Sequence, residues 1–326
     1  MAKVKIKRSE KADVLTIYEA FEGFIQQKQA DNKSATTIDN YTRTFKAFCD
    51  YFEFNSDTLI DEVSSDTIFQ WKAHMHNDGL RPCSINHYVR DIRAFLYWCM
   101  DEDREYLSPF KIKPVEETNE IPKHYDDDEV LLQLQKPTRR DGYTVWRNWA
   151  VFNWIMATGT RASTLCEVKL KDINFTKKEI TLRHMKGKQQ LIIPLSSSLE
   201  AVVREFIRIW RSGDEVTMES YLFANIGEGK LTRNALYLSY RNYCKSNGLD
   251  TTSIHAIRHT YAKQFVKNHG DVFTLQKILG HKKLDMTKKY VELFADDIKE
   301  GYDAVSPLDT IKRSQKRTQA VKRNDE

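Results

Sequence analysis

The amino-acid sequence predicts a mainly α-helical protein with one small antiparallel β-sheet, built as an N-terminal helical domain and a larger C-terminal domain. Three observations carry this. Apolar residues recur at helical spacing through the first hundred residues. Prolines at 109, 114 and 122 interrupt all periodicity between 107 and 123. Short β-branched runs then occur only between 173 and 195.

The elements follow in order. Ile17, Tyr18, Phe21, Phe24 and Ile25 line one face of a first helix. Ile38, Tyr41, Phe45, Phe48 and Phe52 do the same in a second, after a polar start at Ser34, Thr36 and Thr37. A third is expected from a cap at Ser65 or Asp66 through Ile68, Trp71 and Met75 to a stop at Gly79. A fourth starts near Ser84 and buries Ile85, Tyr88, Val89, Ile92, Phe95, Leu96 and Cys99. Four amphipathic helices with short loops make a small bundle. After the proline-rich stretch, the acids Asp126, Asp127 and Asp128 suit a helix N-terminus. A helix through Val145, Trp149, Phe152 and Ile155 should stop near Gly159. The β-branched runs read as a three-strand meander. Helical patterns return at 198–211, 232–246, 255–268, 273–279 and 285–294. The expected organisation is a basic leader (1–11), a helical domain (12–107), a linker (108–123), a second domain (124–303) and a basic tail (304–326).

Composition narrows the class. The 326 residues, 40% hydrophobic and 30% charged, suit two cores rather than a disordered chain. With 12 Gly and 7 Pro, collagen-like repeats are excluded. No run of about 18 apolar residues exists to span a membrane, and the basic N-terminus lacks a signal peptide's apolar stretch. A protein that stays inside the cell is expected. Five cysteines with no C-x-x-C pair suit reduced thiols, not a zinc site. The net charge of +5 is unevenly spread. Residues 1–11 carry +4 and residues 312–323 carry +6. With Asp325 and Glu326 counted, 12–311 is left at −3, so a body that binds a polyanion must sort its charges onto faces.

Several polar residues sit at helix ends or turns. Arg161 follows Thr158-Gly159-Thr160, where a glycine ends one helix and lets the arginine open the next. Lys186 lies in the turn M-K-G-K-Q. His255 and Arg258, three apart, share a helix face, and the guanidinium resists protonation of the imidazole. His281 follows Leu279-Gly280, and Tyr290 comes nine residues later. On one unbroken helix those two would point apart, but Gly280 supplies a break. Taken singly, each also reads as an ordinary surface charge or half-buried core residue.

Together they form an ordered set: A-T-G-T-R (157–161), K-L-K-D-I (169–173), K-G-K-Q-Q-L-I-I-P-L (186–195), H-A-I-R-H-T-Y-A (255–262), L-G-H (279–281) and T-K-K-Y (287–290). Over nearly its whole length the chain resembles the tyrosine recombinases of the phage-integrase family, in the compact two-domain form of Xer-type recombinases and mobile-element integrases. The resemblance implies a SAM-like helical core-binding domain followed by a tyrosine-recombinase catalytic domain. It implies that Tyr290 is a nucleophile forming a 3′-phosphotyrosyl link to DNA. Arg161 and Arg258 would clamp the phosphate, Lys186 protonate the departing 5′-oxygen, His255 serve as acid/base and His281 hydrogen-bond the phosphate. The chemistry is coherent. Two arginine forks suit the charge on a pentacoordinate phosphorus, so no metal or other cofactor is expected. A covalent link conserves the phosphodiester energy, so rejoining needs no ATP.

The match has departures. An acidic residue is usual three positions after the first arginine, and Thr164 stands there. Glu167 is a candidate to support Arg161 instead. Ala256 replaces a common polar residue, and Lys188 competes with Lys186 for the acid role, although alignment from Pro194-Leu195 favours Lys186.

The implied partner is double-stranded DNA with inverted-repeat core sites, gripped by two domains in a C-shaped clamp. The protein would be a monomer or weak dimer when free and a homotetramer on DNA, with accessory DNA-bending proteins as further candidates and no membrane. Candidate DNA contacts are Lys33, Ser34, Thr36, Arg43 and Lys46 on the second helix and Arg81, His87, Arg90 and Arg93 on the fourth. In the second domain they are Lys230, Arg233, Asn234 and Arg241. With the first helix starting near 14, no extra arm-binding domain is expected. Val291, Leu293, Phe294, Ile298 and Tyr302 suit either docking on a neighbouring subunit or packing within the chain. The expected function is site-specific recombination through a Holliday junction for a mobile element, in the cytoplasm at the nucleoid. Alternatives are Xer-like resolution of chromosome or plasmid dimers, type IB topoisomerase-like relaxation, and a DNA-binding protein with decayed catalysis.

Overall fold

The structure is a computed structural model that describes residues 15–117, 123–183, 190–280, 287 and 290. The basic leader and the tail lie outside the described residues. The chain divides into two compact units between Asn119 and Glu120. The fold is the expected one, mainly helical with a three-stranded antiparallel sheet.

The first unit holds α1 (Ile17–Ala30), α2 (Ala35–Phe52), α3 (Ser65–Asn77) and α4 (Pro82–Cys99). Local chemistry sets their starts. Thr16 and Glu19 form a reciprocal capping box at α1. Ser34 caps α2 by accepting from the Thr37 N–H. Ser64 caps α3, one residue earlier than the pattern suggested, because its side chain accepts from the Thr67 N–H. Pro82 occupies the first turn of α4, where its missing N–H costs nothing.

Aromatic rings fill this core. Phe21 stacks on Phe45 at 3.8 Å, and Phe95 meets both edge-on at 5.3 and 5.6 Å. Phe48 packs edge-on against Trp71 at 4.9 Å. The stretch expected to begin a linker packs on this unit as far as Val115. Leu107 and Ile112 are buried, and Asn86 pairs with both backbone groups of Val115, at 2.7 and 2.8 Å.

The second unit is organised around α6 (Tyr143–Thr158), whose residues Trp146, Trp149–Phe152, Trp154 and Ile155 are all buried. A helix apolar on every side must be covered on every side. Packed on it are α5 (Asp127–Leu134), α8 (Ser197–Trp210), α9 (Arg233–Ser246) and α10 (Ile254–Lys267). The sheet runs β1 (Ile173–Asn174), β2 (Glu179–Leu182), β3 (Leu191–Pro194), with Ile180 opposite Ile193 and Leu182 opposite Leu191. Ile180, Leu182 and Ile193 face the core. The short α7 (Ala162–Leu165) follows α6, and α11 (Val272–Leu279) follows α10. Thr287 and Tyr290 are helical and buried. No described helix is long and apolar enough to cross a membrane.

Gly159 ends α6 with φ +60°, and a Cβ there would lie 2.5 Å from the Tyr261 ring. Gly159→Ala should therefore destabilise the protein by about 2–4 kcal/mol, from left-handed backbone strain plus overpacking. Gly79 has φ +77° but nothing within 4 Å of its Cβ position. There alanine should cost only about 1–2 kcal/mol. Thermal or urea unfolding of the two variants checks the difference.

Candidate active site

The site is built on two helix ends. Both α6 and α11 stop at a left-handed glycine, Gly159 and Gly280. The last carbonyls of a helix lack intrahelical partners and carry the negative end of its dipole. Two arginines use them. Arg258, on α10, donates from Nη1 to the Gly159 carbonyl at 2.5 Å and from Nη2 to the Leu279 carbonyl at 2.7 Å. Arg161 donates from Nη2 to the Gly280 carbonyl at 3.2 Å.

The position of Arg161 is set by the turn before it. The Thr160 hydroxyl takes hydrogen bonds from Trp154 Nε1 and the Thr158 hydroxyl, each 3.1 Å. Arg161 then starts α7 in extended backbone. Its Nη1 is buried and has no hydrogen-bond partner among the described residues. A buried guanidinium nitrogen left open in this way is a site for an anion.

Burial and mutual repulsion mark the cluster electrostatically. Arg258 is 7% exposed, and its guanidinium is pulled down to about 10 by lost hydration first and by Arg161 second, against the pull of Tyr290 and Tyr261. Lost hydration also lowers Arg161. His255 is exposed by surface area on the first turn of α10. Even so, reduced hydration and then Arg258 and Arg161 hold it below the usual imidazole value. It is therefore neutral near pH 7, as the sequence suggests. Its Nε2 lies 3.1 Å from the hydroxyl of Tyr237 on α9.

Tyr290 is 6% exposed and packs with Tyr261, Ala262, Leu275 and Leu279. Burial raises its phenol, while Arg258 and Arg161 pull it back down. Its hydroxyl lies 2.6 Å from Nδ1 of His259. The sequence reading gave His259 no part. The available signal was its spacing, four residues after His255 and so on the same helix face. Burial, then His255, Arg258 and His124, push His259 down to about 4. It is therefore neutral at pH 7.

The structure thus brings together Arg161, Arg258 and Tyr290, with His255 on the same α10. Lys186, Lys188 and His281 lie outside the described residues. Glu167 does not support Arg161 but pairs with Lys230. Thr164, at the position where an acid was expected, is buried. Among the described residues no group of three or more His, Cys, Asp or Glu is placed to hold a metal ion.

The candidate DNA contacts divide. Lys33, Ser34, Thr36, Arg43 and Lys46 are exposed, but Arg43 already pairs with Asp39 at 2.9 Å. Arg81 caps α4. His87, Arg90 and Arg93 line one cleft with Cys83, Asn86, Pro114, Val115 and Glu117. His87 and Arg90 both reach the buried carboxylate of Asp91, at 3.5 and 3.1 Å. Arg233, Asn234 and Arg241 are exposed on α9, where Asn234 and Arg241 share a face.

A model of the phage integrase family matches residues 127–296, which contain all of this site. XerD tyrosine recombinase of Staphylococcus saprophyticus is 26% identical over 297 residues, 90% of this chain and 99% of that protein. XerC of Xanthomonas campestris pv. campestris is 23% identical, covering 88% of each. The fold is shared with the Tn1549 transposon integrase in complex with a circular intermediate DNA, at a TM-score of 0.67 and 18% identity over 85% of this chain and 94% of that one. It is also shared with XerH bound to a palindromic difH substrate, at 0.67 and 18% over 88% and 87%. With the family model spanning more than half of its length, the chain belongs to the phage integrase family and is a tyrosine-type site-specific recombinase.

Proposed function

We propose that the protein cuts and rejoins duplex DNA by attack of Tyr290 on a backbone phosphate, giving a 3′-phosphotyrosyl intermediate and, after exchange, a Holliday junction. The observation that carries this is the buried Nη1 of Arg161, without a hydrogen-bond partner among the described residues, beside the buried guanidinium of Arg258 and the buried Tyr290. Two guanidiniums that repel each other are stabilised by an anion between them, and most strongly by one whose charge grows in the transition state. Arg161 and Arg258 then hold the phosphate, while their positive field favours the attacking phenolate. Lys186 protonates the 5′-oxygen, and His255 and His281 hydrogen-bond the phosphate. The domain limits are read as 12–107 and 124–303 with a linker between.

Duplex DNA as the partner is supported by the substrates named for XerH and the Tn1549 integrase. The exposed cations of α2, α4 and α9 supply backbone contacts. Arg43 on α2, Arg90 on α4 and Lys230 ahead of α9 hold acids in the free protein and must exchange them for phosphates, which makes binding salt-sensitive. Assembly on inverted-repeat sites is tetrameric, in the cytoplasm. The role we infer is integration and excision of a mobile element. The near full-length similarity to XerD favours a second reading, resolution of chromosome or plasmid dimers. Mapping the recombined sites separates the two: ends of an inserted element for the first, one site on a circular replicon for the second.

On a nicked suicide duplex carrying the cognate site, the protein should form a covalent DNA adduct that is absent from Tyr290→Phe. An adduct surviving that change overturns the nucleophile. Lys186→Ala should slow cleavage of an ordinary site by about 100-fold or more. A 5′-thio leaving group needs no proton and should restore the rate, whereas an equal loss on both substrates contradicts the acid role.

A further inference from the structure

Forming a bond from Tyr290 to phosphorus requires the phenol to lose its proton. Burial works against that loss, since it raises the phenol above its ordinary value. Some group within hydrogen-bond reach must receive the proton as the bond forms. His255 bonds Tyr237 instead, at 3.1 Å. Among the described residues the imidazole that reaches the phenol is His259, with Nδ1 2.6 Å from the Tyr290 hydroxyl and the rings 5.8 Å apart.

We propose that His259 is a catalytic residue that accepts the phenol proton of Tyr290 during cleavage and returns it during rejoining; this rests on the reading of Tyr290 as the nucleophile. In cleavage the Tyr290 oxygen–phosphorus bond forms and the phosphorus–O5′ bond breaks. The phenol proton passes to His259 Nδ1, and the 5′-oxygen takes a proton from Lys186. In rejoining the 5′-hydroxyl attacks phosphorus and gives its proton to Lys186, while the departing Tyr290 oxygen recovers its own from His259. Protons and bonds balance in both directions.

The surroundings of His259 suit a base that acts only when substrate is present. The groups around it are His255, Arg258 and Lys263 on its own helix, His124 ahead of α5, and Tyr290. Without DNA, burial and the positive field of Arg258 keep the ring neutral and weakly basic. Neutrality leaves a lone pair on Nδ1 when Nε2 carries the hydrogen. A phosphate seated on Arg161 and Arg258 cancels much of that field and adds negative charge close by. Both changes favour the imidazolium. Proton acceptance is thereby coupled to phosphate binding, and the unliganded tyrosine stays protonated.

The test is single-turnover adduct formation on the nicked suicide duplex, comparing wild type, His259→Asn, His259→Ala and Tyr290→Phe from pH 7 to 9. Asparagine can still hydrogen-bond the phenol from nearly the position of Nδ1 but cannot carry its proton. H259N should cleave about 100-fold or more slowly at pH 7, with duplex binding unchanged. Its deficit should shrink toward pH 9, where hydroxide removes the phenol proton directly. Wild-type rates in H259N, or a deficit independent of pH, overturn the proposal. If H259N does not fold, His259→Gln is measured in the same way against the same outcomes. Y290F separates the two readings. Loss of the adduct in Y290F with normal cleavage by H259N removes only the role of His259. An adduct in Y290F removes the nucleophile, and the proposal with it.

Discussion

The catalytic unit depends on one interaction: two guanidinium groups seated on the carbonyl ends of two helices. Arg258 bridges the end of α6 to the end of α11, and Arg161 takes the next carbonyl at Gly280. Two buried cations repel, and each loses hydration. Helix-end carbonyls return part of what water supplied, without neutralising the charge. The two guanidiniums thus bring a positive field to the ends of α6 and α11. A carboxylate in place of Thr164 would have neutralised some of that field. Here the orientation comes from backbone oxygens instead.

The same seating explains why the tyrosine can be buried. Tyr290 rests on Tyr261, Leu275 and Leu279, the residues that join α10 to α11. Leu279 both packs against the phenol and, through its carbonyl, holds Arg258. Tyr290, Arg258 and their apolar support are therefore one mechanical assembly. The glycine at 159 belongs to it as well, because Tyr261 lies against the face a side chain would occupy. Burial raises the phenol and the two arginines oppose that rise.

Much of the fold was legible in the sequence. The helical spacing of Phe21, Phe45, Phe48 and Phe95 marked the first core, since a side chain that recurs every turn must face one neighbour. The switch to β-branched residues at 173–195 marked the sheet. Gly159 and Gly280 announced the ends of α6 and α11, because only glycine enters the left-handed region without strain. Less was legible where partners come from distant parts of the chain. The spacing of Glu167 suggested help for Arg161, but Lys230, sixty-odd positions away, claims its carboxylate. The proline-rich stretch after 107 looked like free linker, yet Asn86 and the first core hold it through Val115.

The sequence by itself therefore determined the class of chemistry, because the types and order of Arg161, His255, Arg258 and Tyr290 are properties of the chain. It also determined where helices begin and end, because caps and glycines act on their own neighbours. Only the tertiary structure decided that His259 meets the Tyr290 hydroxyl. His255 and His259 are one turn apart on one helix, and spacing gives both the same face. Which of them touches the Tyr290 phenol depends on where Tyr290 sits against α10. That is set by the packing of Tyr261, Leu275 and Leu279 between elements far apart in sequence.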